Sequence, residues 1–481
     1  MNSLHARAAG LAAFALLALP AWAEVRLPGI LSDHMVLQRA AWVPVWGWAA
    51  PNETVSVRFG NQALSTVADS EGRWRLHLDL SQAPPTPGVL SVRGTSKEIV
   101  VQDVLVGEVW LASGQSNMEK PFGDKKGQLP TFGSEEALAG AEQPDIRLFK
   151  VARRKAAQPG EDVGGAWVRS TPAALLATQF SAAAYSFGRR LRQELGTPVG
   201  LIDATWGGTR IESWTPSDLL GQVNLPPAVK DKPASLYNGM IAGLAPFRLK
   251  GALWYQGESN ILHTDDGPAY TAKMEALIGG WRRAFGAKLP FYYVQLAPHL
   301  YSVLRADQGV GGPESLPRLR EAQAGALRIA HTGMIVTTDL ADDLRDIHPR
   351  DKQSVGLRLA SLALARTYER PGIEADGPSY RAIRFAGSQA ILAFDHAQGL
   401  AARDGKPLDW FEIAGSDGRY HPATATIRGS EVLVGSPLVN EPTSVRFGWH
   451  EAATPNLVNG AGLPAVPFRS EHPIPKNPPS L

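Results

Sequence analysis

The chain has 481 residues, carries 48 Lys and Arg against 46 Asp and Glu, and contains no cysteine. A near-neutral charge spread along the sequence offers no electrostatic footprint for nucleic acid or an anionic membrane, so a neutral partner fits better. Without thiols, a disulfide scaffold, a thiolate nucleophile and a cysteine-held zinc are all excluded.

In chain order, His5 and Arg7 precede an apolar run over residues 8–19, and Ala21-Trp22-Ala23 then offers small residues where a signal peptidase reads. The run is about a dozen residues, short of the ~20 needed to span a bilayer. Cleavage near Ala23 is expected, giving a secreted or periplasmic mature chain with no membrane association. The remaining ~460 residues exceed what one core usually serves and predict two or three domains. Residues 24–102 show short alternating runs, such as Val55-Ser56-Val57-Arg58-Phe59, broken by Pro, Asn, Asp and Gly. This is the pattern of a small β-sandwich-like domain. Over residues 103–372, strand candidates at 104–112, 199–205, 251–255, 291–296 and 334–338 are interleaved with helical segments, for example 182–195, 269–285 and 351–368. That alternation predicts an α/β domain with a mainly parallel sheet. Beyond Pro371-Gly372 strand-like runs return, at 390–394 and 431–434, so a C-terminal β-sandwich-like domain is expected over 373–472, followed by an extended tail at 473–481. The thirteen Trp suit stacking on sugar rings as well as core packing.

In open α/β sheets the reactive groups gather beyond the carboxyl ends of the strands. There, Ser113-Gly114-Gln115-Ser116-Asn117-Met118 turns a buried strand into a serine whose hydroxyl can enter the crevice, with its own N–H facing a developing oxyanion. The same Ser is equally readable as a turn or helix cap. The adjacent glycines of Trp206-Gly207-Gly208-Thr209-Arg210-Ile211-Glu212-Ser213-Trp214 let a backbone approach a ligand and offer further N–H donors. Trp254-Tyr255-Gln256-Gly257-Glu258-Ser259-Asn260 puts more polar equipment at a strand end than a turn requires. Among eleven His, His348 in Asp346-Ile347-His348-Pro349 is the best base, with Asp346 able to hold one imidazole nitrogen and an ordinary ionisation near ~6 to 7 expected. The plainer alternative makes this segment a helix cap with a surface ring.

These segments, in this order, resemble the sialate O-acetylesterase family, a branch of the SGNH hydrolases related to acetylxylan esterases. Similarity extends to Asp33-His34-Met35-Val36-Leu37-Gln38, Leu236-Tyr237-Asn238-Gly239-Met240-Ile241 and Gly462-Leu463-Pro464-Ala465-Val466-Pro467-Phe468-Arg469, and so covers nearly the whole mature chain. The resemblance implies an SGNH-like catalytic α/β domain and a serine esterase that removes O-acetyl groups from mono- or oligosaccharides without metal or organic cofactor. It makes Ser116 the nucleophile and His348 the base, with Gly208 and Gln256 joining the Ser116 N–H as oxyanion donors. Asn117, Glu212, Trp214 and Asn260 are expected to contact the sugar. One departure bears on the triad: the broader SGNH pattern has Asp three residues before the His, where this chain has Arg345. Asp346 is therefore the expected third member and Glu258 its rival. The competing reading is a carbohydrate-binding protein on the same scaffold that has lost its chemistry.

Overall fold

The computed structural model describes residues 24–223, 233–264, 266–308 and 310–476. The leader expected over 1–23, and the end of the tail at 477–481, lie outside the described residues.

The framework is a sheet built from β1 (Val36–Gln38), β2 (Glu98–Gly114), β3 (Gln143–Lys150), β4 (Trp167–Ser170), β5 (Val199–Thr205), β6 (Gly251–Tyr255), β7 (Phe291–Val294) and β8 (Thr332–Ile335). Its main path runs β8-β7-β6-β2-β5-β3-β4, parallel throughout except for the β3–β4 pair. Every residue of β5 and β6 is buried, as expected of parallel strands covered on both faces. The helices that matter here are α1 (Ser116–Glu119), α2 (Ala182–Leu195), α3 (Glu258–Thr264), α4 (Ala269–Phe285) and α5 (Lys352–Arg366). On one face Trp110 of β2 meets Phe187 of α2 edge-on at 5.0 Å. There α5 lies so close to α2 that a Cβ at Gly356 would fall 2.4 Å from the Ala183 carbonyl oxygen. On the other face Trp254 of β6 meets Trp281 of α4 at 6.0 Å and Trp214 at 6.2 Å. No helix among the described residues is long and apolar enough to cross a membrane.

Two features of the organisation were not legible in the sequence. β2 is one continuous 17-residue strand. Its first half pairs antiparallel with Gly88–Arg93 and its second half lies between β5 and β6. The boundary expected between residues 102 and 103 therefore falls inside a strand, and a single apolar cluster reaches from Val25 to Val466. Of the N-terminal strands, Thr54–Phe59, Gln62–Val67 and Gly88–Arg93 join the first half of β2, while Val43–Trp48 and Arg73–Leu78 pair with each other in a separate two-stranded sheet. In the sequence only the burial pattern changes there, from one-sided to two-sided, and that looks like a domain break. Strands β3 and β4 were not expected either, because β3 carries charge; Arg147 is buried yet held by Asp103 at 3.0 Å. The C-terminal segment does have a core of its own. A sheet containing Gln389–Asp395 and Glu431–Gly435 faces another containing Phe411–Ala414 and Ser444–Phe447, and Leu392, Val432, Ile413 and Phe447 join one cluster. Arg446–Glu314 at 2.9 Å and Arg469–Glu321 at 2.6 Å fasten this unit to the α/β part.

The tightest approach lies at the end of β2. Gly114 has φ 136°, and a Cβ there would sit 2.1 Å from the Tyr255 carbonyl oxygen. Gly114→Ala should lower the unfolding free energy by about 1–3 kcal/mol in a urea titration. An unchanged midpoint would mean that β2 and β6 end further apart than described.

Candidate active site

The chain leaves β2 for β3 on one side, skipping the place later filled by β5, and adds β6 on the other side. The carboxyl end of β2 is therefore a topological switch point, where a crevice opens between diverging loops. Ser116 opens α1 at this point and is partly exposed. The loop after β5 passes directly beside it, since a Cβ at Gly207 would lie 3.3 Å from Ser116 Cβ. That loop is held down by the Gly207 N–H, which donates to buried Glu119 at 2.7 Å, and by the Trp206 N–H, which donates to the Gly114 carbonyl at 3.1 Å. Gly208 follows with φ 72° and faces open space.

His348 comes from the loop between β8 and α5. Asp346 Oδ1 accepts the His348 backbone N–H at 2.9 Å and lies 3.5 Å from the ring Nδ1, at the outer limit of a hydrogen bond. Arg345 points elsewhere and pairs with Asp343 at 2.9 Å. Burial, helped by the charge of Lys352, pushes the imidazole down to about 4 against the pull of Asp346. The direction departs from the ordinary value expected from sequence. It follows from placing the ring on a sheltered loop near several cations.

The serine and histidine segments are tied together by Asn117. Its Nδ2 donates to the Ile347 carbonyl at 3.0 Å and to Glu258 Oε1, while its Oδ1 accepts from Lys352 Nζ at 2.6 Å. The neighbour of the serine thus grips the neighbour of the histidine. Burial pushes the Glu258 carboxyl up, and its second oxygen has no partner among the described residues.

The other residues singled out in the sequence for the site are buried. Asn117 uses its whole amide internally. Gln256, expected as an oxyanion donor, is buried, its Nε2 within reach of Asn260 Oδ1 at 2.7 Å, Gln115 Oε1 at 3.0 Å and the Thr209 carbonyl at 3.2 Å. Glu212 is buried and accepts from Arg210 at 2.6 Å, Lys273 at 2.8 Å and Asn260 at 3.1 Å. Trp214 is buried, its Nε1 donating to Thr209 at 2.9 Å. Asn117, Glu212, Trp214 and Asn260, expected to contact the sugar, are thus buried with polar atoms engaged by neighbouring protein groups. A polar cluster after a strand turns downward as readily as outward, and sequence does not show which. Two contributors were missed, Glu119 and Lys352. A lysine in the first turn of a helix, where acids are favoured, is the signal that would have found the second.

Among the described residues, Glu374, Asp376 and His396 bring potential metal-ligand atoms within 4.8 Å of one another. Both oxygens of Asp376 already face Arg366, at 2.7 and 2.8 Å.

The sheet thus carries Ser116 and, through the Asn117–Ile347 bond, the loop of His348 at its carboxyl edge, and its relatives place the chain among the carboxylic ester hydrolases. Residues 106–365 match the family model described as carbohydrate esterase, sialic acid-specific acetylesterase, and the chain belongs to that family. It is 32% identical to a sialate O-acetylesterase of Pongo abelii, over 96% of each protein. It is also 32% identical to the sialate O-acetylesterase of Homo sapiens, over 85% of this chain and 84% of that one. The crystal structure of a carbohydrate acetylesterase from Xanthomonas citri is similar with a TM-score of 0.84 and 38% identity, covering 92% of this chain and 99% of the other.

The buried ion pairs of Glu212 make a clear prediction. Glu212→Gln leaves Arg210 and Lys273 under-compensated in the interior and should cost about 3–5 kcal/mol of stability. A variant of wild-type stability with a raised KM would favour the sugar-contact role.

Proposed function

We propose that the protein is a secreted carbohydrate O-acetylesterase that works through an acetyl-enzyme on Ser116. Family membership carries acetyl-ester hydrolysis. The observation that supports the serine mechanism is the Asn117 amide, which joins the residue after Ser116 to the residue before His348. Secretion rests on the leader pattern of residues 1–23.

In this mechanism Ser116 Oγ attacks the acetyl carbonyl carbon as His348, neutral at working pH, takes the hydroxyl proton. The N–H groups of Ser116 and Gly208 receive the oxyanion. His348 then protonates the departing sugar oxygen, and water, activated by the same ring, releases acetate and frees Ser116. Losing one such oxyanion donor typically costs on the order of 100-fold in turnover. Asp346 orients the ring. Its proximity to Nδ1 supports this assignment, since catalytic hydrogen bonds are often long before substrate binds. Glu258, gripped by Asn117, serves the loop. The substrate is an acetylated mono- or oligosaccharide, and the C-terminal sheets form a β-sandwich domain beside the catalytic one.

The pure protein should release acetate from an aryl acetate and be labelled at Ser116 by a serine-directed phosphonate. Ser116→Ala should do neither, with its melting temperature within a few degrees of wild type. Activity retained in Ser116→Ala would move the nucleophile elsewhere.

With a poor leaving group, Asp346→Asn should depress kcat by roughly 10³ to 10⁴ while Glu258→Gln loses far less. The reverse order would make Ser116, His348 and Glu258 the triad.

The acid limb of kcat/KM reports the base losing its proton. With His348 held down to about 4, activity should persist well below pH 6 and fall only near that value. A limb at ~6 to 7 would place the ring in an ordinary solvated setting.

A further inference from the structure

Lys352 is the first residue of α5 and has no exposed surface. Both facts are unusual, since lysine is almost never fully buried unless paired, and a cation at a helix N-terminus opposes the helix dipole. Its hydrogen-bond partner is an amide oxygen, Asn117 Oδ1 at 2.6 Å, and its ammonium lies 5.1 Å from the centre of the Tyr255 ring. The Asn117 amide has only one workable orientation. If it were flipped, its oxygen would face the Glu258 carboxylate and the Ile347 carbonyl, two acceptors, while its NH2 would face the lysine donor. A donor at the position of Lys352 Nζ is what selects the observed arrangement.

We propose that Lys352 is a positioning residue: from the first turn of α5 it fixes the Asn117 amide that holds Ser116 in register with His348, and its charge acts on the imidazole. This inference rests on the Ser116–His348 reading above. The charged groups that act on His348 come from three directions: Asp346 on its own loop, Lys352 from α5, and Lys120 and Lys125 from the segment after α1. Around Lys352 itself stand Glu258 from α3, Asp346, Asp351 and Lys120. Burial and Lys120 bring Lys352 down to about 7, so it is cationic throughout the acid range in which the histidine titrates. There its charge favours neutral imidazole. Removing that charge must let the ring hold its proton to higher pH.

The test compares Lys352→Met, which loses donor and charge, with Lys352→Gln, which keeps an amide donor toward Asn117 and loses only charge. In Lys352→Met, kcat should fall at least about 10-fold with KM nearly unchanged, and the acid limb of kcat/KM should move up by about one pH unit. Lys352→Gln should recover most of kcat and keep the raised acid limb. Removal of packing alone would not move that limb. A folded Lys352→Met that keeps the wild-type kcat overturns the inference, and so does an acid limb that stays at its wild-type position in the folded variants. If Lys352→Met does not fold, Lys352→Gln decides alone by its acid limb. Failure of the underlying reading looks different: a wild-type enzyme that a phosphonate does not label at Ser116 removes the nucleophile itself. A labelled, active wild type whose Lys352 variants keep the wild-type limb removes only the role of Lys352.

Discussion

The central strand Glu98–Gly114 sets the terms for everything around it. Its second half is buried on both sides, with β5 and β6 as immediate neighbours. Where it ends, Gly114 passes so close to the Tyr255 carbonyl that only a residue without a side chain fits. The Gln115 N–H then bonds that same carbonyl at 3.1 Å, so the turn into α1 begins from a fixed point. Ser116 inherits its position from this packing, not from the loop that carries it. A site whose first residue leaves a fully paired strand loses little conformational entropy when substrate arrives.

Around that point the loops rest on buried charge. Glu212 and Asp266 compensate Lys273, at 2.8 and 2.6 Å, and all three are inaccessible to solvent or nearly so. Asp203, after the middle of β5, takes Lys150 at 2.7 Å, Thr205 at 2.6 Å and the Ser181 N–H at 2.9 Å. Such pairs add little net stability over apolar packing, but each one tolerates few alternative geometries. Their effect is to make the crevice wall rigid and particular.

The same low-dielectric setting governs the histidine. Burial and nearby cations oppose protonation, while Asp346 favours it, and the first two prevail. A ring that is neutral over a wide pH range is always ready to accept a proton, but it is a weaker base than a solvated imidazole. In the proposed mechanism the flanking carboxylate and the developing charge of the reaction would then stabilise the imidazolium transiently.

Much of this was legible from residue order. The strands over 199–205 and 251–255 and the helices over 182–195 and 269–285 end where the apolar patterns and breakers said, because local periodicity and burial agree there. The segments of Ser116 and of His348 and Asp346 likewise lie after strand ends, as their places in the sequence imply. What residue order did not carry was direction and partnership. Charged β3 is a strand because Asp103, far away in sequence, neutralises Arg147. Glu212, Trp214, Asn260 and Gln256 turned inward because partners such as Lys273 and Tyr270 on α4 wait beneath them. The sequence by itself determined which chemical groups arrive at the sheet edge, since strand ends are set by local pattern. Only the tertiary structure decided which groups face the crevice and which brace it, because that choice depends on contacts between segments as distant as Asn117 and Lys352.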